Sequence, residues 1–201
     1  KHNEQSLRVV DILEDGKGMN LTYEVRDGIL NHCGENKACT LEGVVVKYAD
    51  RIAYINHDID DALRAGIITN DQIPKKCTDI LGDTHSKRIN TMIRDIVTQS
   101  MNKNDICMSK QIYNTTEDLR EFMFENVYIG SIAKSEEGKA KHLIKELYMY
   151  FKCHYDEMPA EFMQRVKTDG ADRVVCDYIA GMTDVYAVHM FNKLFVPSPW
   201  R

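Results

Sequence analysis

The strongest constraint on the fold is one long stretch with the periodicity of an α-helix, from Thr40 to Gly66. Thr40 is a favourable N-cap residue, Glu42 is well placed against the helix dipole, and Gly66 is a usual residue just past a helix C-terminus. Apolar side chains recur on one face of this stretch at the spacing of 3.6 residues per turn: Tyr48, Ile52, Ile55, Ile59 and Leu63. We therefore predict one long helix with this face in the core.

The rest of the sequence also favours helices over strands. Of its 201 residues, 11 are Gly and 4 are Pro, whereas β-rich folds need turn residues every few positions. Helical periodicity predicts further helices over residues 2–14, 23–32, 85–101, 116–127, 135–154 and 171–195, and a short one within 67–84. We predict an all-α fold in one continuous domain spanning residues 1–201.

Charge and apolar content exclude several classes of protein. Charged residues make up 28% and hydrophobic residues 43% of the chain, which excludes wholesale disorder. The net charge of -5 argues against a bulk nucleic-acid binder, although a local basic pocket for phosphates stays open. No apolar run approaches the roughly 20 residues of a membrane span, and no signal-peptide pattern is present, so we expect a cytoplasmic protein without a membrane partner. The chain opens directly in a helical pattern without Met, which favours a fragment of a longer protein.

Six cysteines are scattered through the chain without a C-x-x-C pair. Together with the missing signal peptide, this pattern is typical of reduced thiols that act as small core residues. We expect neither a zinc site nor a nucleophilic cysteine paired with a histidine.

The second face of the long helix is polar and carries three carboxylates. Two interpretations stay open, because a run of charges is usually a solvated face, whereas Asp-rich faces with a histidine also bind hard cations and phosphates. Like charges such as Asp58 and Asp61 destabilise a helix by a few tenths of a kcal/mol, and Asp is a poor helix former, which disfavours a purely solvated face. His2 is a further candidate, although a surface histidine is the simpler interpretation. The polar face consists of Asp50, Tyr54, His57, Asp58 and Asp61.

Four segments of the sequence share a pattern with one enzyme family. They read H-N-E-Q-S-L-R-V-V from residue 2, L-T-Y-E-V-R-D-G-I-L from residue 21, A-D-R-I-A-Y-x-x-H-D from residue 49 and C-D-Y-I-A-G-M-T-D from residue 176. With them the chain resembles the HD-domain deoxynucleoside triphosphate triphosphohydrolases, the bacterial dGTPase-like family. The third segment is the most specific of the four. The resemblance implies an all-α HD-domain helical bundle that is truncated at its N-terminus.

The resemblance also implies roles for individual residues. In this family a divalent metal, Mn²⁺ or Mg²⁺, is held by a His, a His-Asp pair and a later Asp. Asp50 matches the last of these ligands, and the other three would precede the first residue of this chain. His2, as a catalytic residue, and Arg51 would reach the triphosphate. Tyr54 would pack beside the deoxyribose, and Asp58 would accept a hydrogen bond from its 3′-hydroxyl.

The function implied by the resemblance is metal-dependent hydrolysis of a deoxynucleoside triphosphate (dNTP) to a deoxynucleoside and inorganic triphosphate, by a homo-oligomer. Two alternatives stay open: a non-catalytic nucleotide-binding or oligomerisation module, and an HD phosphohydrolase acting on a nucleoside monophosphate or an alarmone. Tyr54 with Asp58, which would contact the sugar, weighs against the last. No role carries over to His57 or Asp61. For Asp177 and Asp184 we expect structural roles.

Overall fold

The computed structural model describes residues 1–129 and 136–198, and every regular element in these two ranges is helical. This confirms the all-α prediction. The chain divides into two compact units, Lys1–Ile132 and Ala133–Arg201, which are described separately below. That residues 1–201 form one continuous domain stays a prediction. In the described ranges, no helix combines the length and apolar character needed to cross a bilayer.

The first unit is built around its longest helix. α3 packs against α2, α5 and α6, and α4 packs against α5 and α6. α1 and α6 each continue into a π-helical turn, Val9–Leu13 and Phe124–Tyr128 respectively. The helices of this unit are α1 (His2–Arg8), α2 (Tyr23–Leu30), α3 (Leu41–Arg64), α4 (Lys75–Leu81), α5 (His85–Ser100) and α6 (Lys110–Met123).

α3 has the ends and the buried face that the sequence predicts. The Thr40 hydroxyl caps it by accepting a hydrogen bond from the Gly43 backbone N–H at 3.1 Å. Ile52, Ile55 and Ile59 are 5%, 1% and 0% exposed and pack in one core with residues of α4, α5 and α6. Burying a side chain of this size contributes about 1.5–3 kcal/mol, so this face anchors α3 and leaves its polar face outward.

α6 begins at Lys110 and not near Thr116, so the predicted start was wrong. The cap is Ser109, whose hydroxyl accepts from the Ile112 N–H at 3.4 Å. Thr115 and Thr116 lie inside the helix and are buried, and their hydroxyls donate to backbone carbonyls one turn back. Such a bond satisfies the hydroxyl of a threonine inside a helix. The sequence pattern alone therefore does not distinguish a threonine inside a helix from one that caps its start.

The second unit has its own core. α7 packs against α10 and α11, and Leu147, Phe151, Val174 and Val175 are buried between them. The single helix predicted over residues 171–195 was wrong, because Thr183 starts a new helix by accepting from the Tyr186 N–H at 3.2 Å. The residue predicted to cap α7, Ser135, lies outside the described residues. The helices are α7 (Glu137–Cys153), α8 (Ala160–Met163), α9 (Val166–Asp169), α10 (Ala171–Ala180) and α11 (Asp184–Phe195).

Candidate functional site

The predicted metal ligand, Asp50, is exposed on α3 at a cavity of about 570 Å³ in the first unit. Val25, Ile29 and Val46 contribute apolar walls, and His32 is part of the same lining. Within the described residues the Asp50 carboxylate makes no hydrogen bond or ion pair. Such apolar walls do not suit a triphosphate, so the chemically relevant groups of this lining are its polar residues, Asp50 among them.

His2 is connected to this cavity through His32. The two Nε2 atoms lie 3.2 Å apart, and the ring centroids are 5.1 Å apart in an edge-on arrangement. The Nδ1 atom of His32 lies 2.6 Å from the carbonyl oxygen of Ile29, which requires a proton on Nδ1. Neutral His32 therefore presents a lone pair on Nε2 towards His2. The predicted catalytic histidine is thus held beside a residue of the cavity that Asp50 also lines.

The Arg51 side chain contacts two residues of α6. Its guanidinium forms an ion pair with Glu117 and lies over the ring of Tyr113, with its central carbon 5.2 Å from the ring centroid. Both partners of the ion pair are partly buried, with 29% of each side chain exposed. The positive charge of Arg51 is therefore already compensated. To bind a phosphate as the resemblance implies, Arg51 must exchange Glu117 for the ligand.

Tyr54 and Asp58 meet at a third residue, Tyr128, at the end of the π-helical turn that follows α6. The rings of Tyr54 and Tyr128 stack with centroids 6.1 Å apart and planes 18° apart. The Tyr128 hydroxyl donates a hydrogen bond to Oδ2 of Asp58. Burial in the first place, and then this hydrogen bond, raise the pKa of Tyr128 well above its usual value. Tyr128 therefore stays protonated and acts as a donor.

Sequence reasoning missed Tyr128 because it lies 70 positions after Asp58 and belongs to none of the motifs. One local signal was available, since π-helical turns within helices are frequent at functional sites. That turn is set by backbone geometry, however, and no pattern of residue types in the sequence marks it.

A metal centre cannot be completed from the described residues around Asp50. A hydrolytic metal site uses about three protein ligands and keeps one open position. Within residues 1–129 and 136–198, Asp50 belongs to no group of three His, Cys, Asp or Glu side chains close enough to share an ion. The described part of the chain holds such a group at another place, formed by His2, His32 and Cys33, whose ligand atoms all lie within 4.8 Å of one another.

Two further polar side chains of α3, Asn56 and Asp60, serve the fold. Arg88 of α5 is 2% exposed, and its Nε donates to Oδ1 of the fully buried Asn56 at 2.9 Å. Asp60 lies 3.4 Å from Arg88 and 3.1 Å from His85, whose ring contacts His57. Burial lowers the pKa of Arg88, and the neighbouring carboxylates oppose that shift.

The two acidic residues near the end of the chain lie in the second unit. Asp177 is 6% exposed and accepts a hydrogen bond from Arg165 at 3.0 Å, which ties α10 to the segment before α9. Asp184 is the first residue of α11, where a negative charge is favourable against the helix dipole. Both positions agree with the structural roles expected for them.

Comparison with known proteins gives one family match and several similar sequences. Residues 106–193 match the phosphohydrolase-associated domain. Several similar sequences carry a more specific name, deoxyguanosinetriphosphate triphosphohydrolase-like protein. One from Caldanaerobacter subterraneus subsp. tengcongensis is 54% identical over 201 residues, which is 100% of this chain and 59% of the relative. One from Clostridium perfringens is 44% identical, covering 98% of this chain and 61% of the relative.

A more distant relative, from Desulfatibacillum aliphaticivorans, is 40% identical over 98% of this chain and 62% of its own length. The chain thus spans about three fifths of the length of the curated relatives it matches. The similarity extends over the whole chain and confirms the resemblance to the dGTPase-like family that its four motifs indicate.

Proposed function

We propose that the complete protein containing this chain hydrolyses dNTPs, with dGTP as the first substrate to test, to a deoxynucleoside and inorganic triphosphate. The observation that carries the proposal is the arrangement on α3. Asp50, Tyr54 and Asp58 follow one another at intervals of four residues on the outward face of one helix. The residue proposed to bind a metal ion and the two proposed to bind the sugar therefore lie on the same face of α3. The names of the relatives support the same reaction.

The charges of the site explain how the phosphates would be bound. A dNTP carries about four negative charges, and Glu24, Glu42 and Asp50 add carboxylates to the lining of the cavity. Without cations these groups would repel the substrate. His2 in its protonated form and Arg51 would supply positive charge to the triphosphate, and Arg51 would do so by exchanging Glu117 for a phosphate oxygen.

We further propose that Asp50 contributes to a site for Mn²⁺ or Mg²⁺ whose other ligands lie outside the described residues. A divalent cation held there would lower the pKa of a bound water and offset the charge of the phosphate under attack. In the reaction a water oxygen forms a bond to the α-phosphorus. The bond from that phosphorus to the 5′-oxygen breaks, and the 5′-oxygen leaves with a proton as the deoxynucleoside.

Tyr54, Asp58 and Tyr128 would form the sugar-binding part of the site. Tyr54 is 42% exposed, so its side chain is accessible to a ligand. A ring packed against C2′ leaves no space for a 2′-hydroxyl, which would select deoxyribose. Asp58 already accepts one hydrogen bond from Tyr128 and retains acceptor capacity for the 3′-hydroxyl of the substrate.

The experiment is a substrate panel on the complete protein. The four dNTPs and four NTPs are each incubated with Mn²⁺ or Mg²⁺, and inorganic triphosphate is separated from mono- and diphosphate products. We expect triphosphate with dNTPs and little with NTPs. Release of pyrophosphate or monophosphate instead would contradict the proposal. Tight dNTP binding without any product would favour the non-catalytic nucleotide-binding module.

A further inference from the structure

We propose that His2, His32 and Cys33 form a binding site for a zinc ion, separate from the hydrolytic metal site proposed at Asp50. One ring nitrogen of His2, one ring nitrogen of His32 and Sγ of Cys33 lie within 4.8 Å of one another. Two imidazoles and a thiolate are ligands that Zn²⁺ prefers, whereas Mg²⁺ and Mn²⁺ prefer oxygen ligands.

The distance between the two histidines fits a shared ion. With zinc–nitrogen bonds of about 2.0–2.1 Å, two ligands of a tetrahedral zinc lie about 3.3 Å apart. The observed separation between the two Nε2 atoms is 3.2 Å. The Cys33 sulfur lies at most 4.8 Å from each ligand nitrogen, whereas the nitrogen–sulfur distance in a tetrahedral zinc site is about 3.6 Å. A small movement of the Cys33 side chain would therefore complete the site. His2 is exposed and Cys33 half-buried, so both side chains have room to adjust.

An independent feature prepares His32 as a ligand. Its Nδ1–H donates to the carbonyl oxygen of Ile29 at 2.6 Å, which leaves the Nε2 lone pair directed at His2. Metal-binding histidines commonly make such a bond through their other ring nitrogen, because it fixes the tautomer and orients the ring. Because His2 is exposed, a water molecule would complete the coordination of the ion. On binding, the thiol proton leaves to solvent.

The sequence does not show this site because its ligands are far apart along the chain. His32 and Cys33 are adjacent, but His2 lies 30 positions earlier. The loop after α2 and the start of α1 meet because Asn3 donates a hydrogen bond to the carbonyl oxygen of Leu30 at 2.7 Å. That contact places His2 over the end of α2.

Zinc at this site would have a regulatory effect, and this consequence rests on the proposed function. The ion would take the His2 lone pair, so His2 could no longer carry the proton with which it would bind the triphosphate. Zn²⁺ would therefore inhibit hydrolysis in a manner that depends on Cys33, a residue with no proposed part in the reaction.

The test of the site itself uses Co²⁺ as a spectroscopic substitute for zinc in the complete protein. A cobalt–thiolate bond gives a charge-transfer band in the near ultraviolet, and Asp50 cannot produce one. We expect this band in the wild type and its loss on adding one equivalent of Zn²⁺. Cys33→Ser and Cys33→Ala should abolish the band, and His32→Gln should weaken Co²⁺ binding at least about tenfold. Cys153→Ser, which changes an exposed thiol elsewhere, should keep it. Circular dichroism verifies folding of each variant.

No band in the wild type, or a band that survives both Cys33 substitutions, would overturn the zinc site whatever the enzyme does. The inhibitory role is tested separately by titrating Zn²⁺ into the triphosphate-release assay. We expect Cys33→Ser to keep the basal rate and to raise the half-inhibiting Zn²⁺ concentration at least about tenfold. Equal inhibition of both proteins would overturn the inhibitory role. An inactive complete protein that still shows the band would overturn the proposed hydrolysis and leave the zinc site standing.

Discussion

Tyr54 is the residue on which the proposed choice of deoxyribose depends. Its ring stacks on that of Tyr128, and the residue is 42% exposed. We predict that Tyr54→Ala lowers the dGTP:GTP ratio of kcat/KM at least about tenfold, which corresponds to about 1.4 kcal/mol of lost discrimination. The measurement is kcat/KM for both nucleotides with the complete protein. Tyr113→Ala is the matched control, because that exposed tyrosine contacts Arg51 and not the sugar-binding residues. An unchanged ratio in Tyr54→Ala would place the sugar elsewhere.

Asp27 makes the loop between α2 and α3 sensitive to acid. Its carboxylate accepts from the Cys39 backbone N–H at 2.7 Å and from the Asn31 side chain at 2.8 Å. The bond from the Cys39 backbone is the main reason that the pKa of Asp27 lies below its usual value. Because the pKa of Asp27 is lower in the folded than in the unfolded chain, its carboxylate stabilises the fold at pH values above the pKa of the unfolded chain. This stabilisation is lost as the pH falls through the pKa of the folded state.

We therefore predict that wild type is more stable than Asp27→Asn at neutral pH, and that the difference shrinks as pH falls below the usual pKa of a carboxyl group. Urea unfolding of both proteins at several pH values measures this difference. Asp71→Asn, a change in an exposed 3₁₀ turn, is the control. A difference that stays constant down to the lowest pH would show that the charge of Asp27 is not what stabilises the loop.

At the scale of elements, the contact between α3 and α5 includes one buried charge, that of Arg88. Arg88→Met keeps most of the volume but leaves the Asn56 carbonyl without its donor and removes a cation from Asp60. We predict a loss of about 2–4 kcal/mol in the free energy of unfolding. Arg94→Met makes the same change at an exposed position of α5 and should have no measurable effect. Chemical denaturation of the two variants gives the comparison, and equal stability would refute the role given to Arg88.

The elements also show what a sequence can predict. α3 was predictable because its apolar face, its Thr40 cap and its C-terminal Gly66 all indicate the same helix. The start of α6 and the break between α10 and α11 were not predictable from the sequence. Each depends on whether one Ser or Thr hydroxyl caps the start of a helix or bonds to a backbone carbonyl inside one. The motif proposes Asp50 and its neighbours on α3 as site residues, and their roles stay a prediction. Contacts between distant segments, such as Arg51 with Glu117, needed the folded chain.

At the scale of the whole molecule, the described part of the chain holds one proposed ligand for the hydrolytic metal. A single carboxylate does not hold a divalent ion against water. We predict that the 201-residue chain, purified alone, releases no triphosphate from dGTP, whereas the complete protein does. Both are assayed at equal concentration with Mn²⁺. Clear activity of the 201-residue chain would contradict the division of ligands proposed above.

Assembly into homo-oligomers stays a prediction at this scale. Sedimentation velocity of the complete protein, with and without dNTP, measures it directly. A protein that remains monomeric under both conditions would contradict the prediction.

The most direct test of the account is the replacement of Asp50 by Asn in the complete protein. Asn keeps the volume and removes the charge, and no described residue pairs with Asp50, so folding should not change. Mn²⁺ affinity and triphosphate release from dGTP are measured side by side, with Asp61→Asn on the same face of α3 as the control. We predict that Asp50→Asn weakens both at least about a hundredfold and that Asp61→Asn leaves both unchanged. Wild-type metal affinity and turnover in Asp50→Asn would show that Asp50 is not a ligand and would contradict the proposed function at its centre.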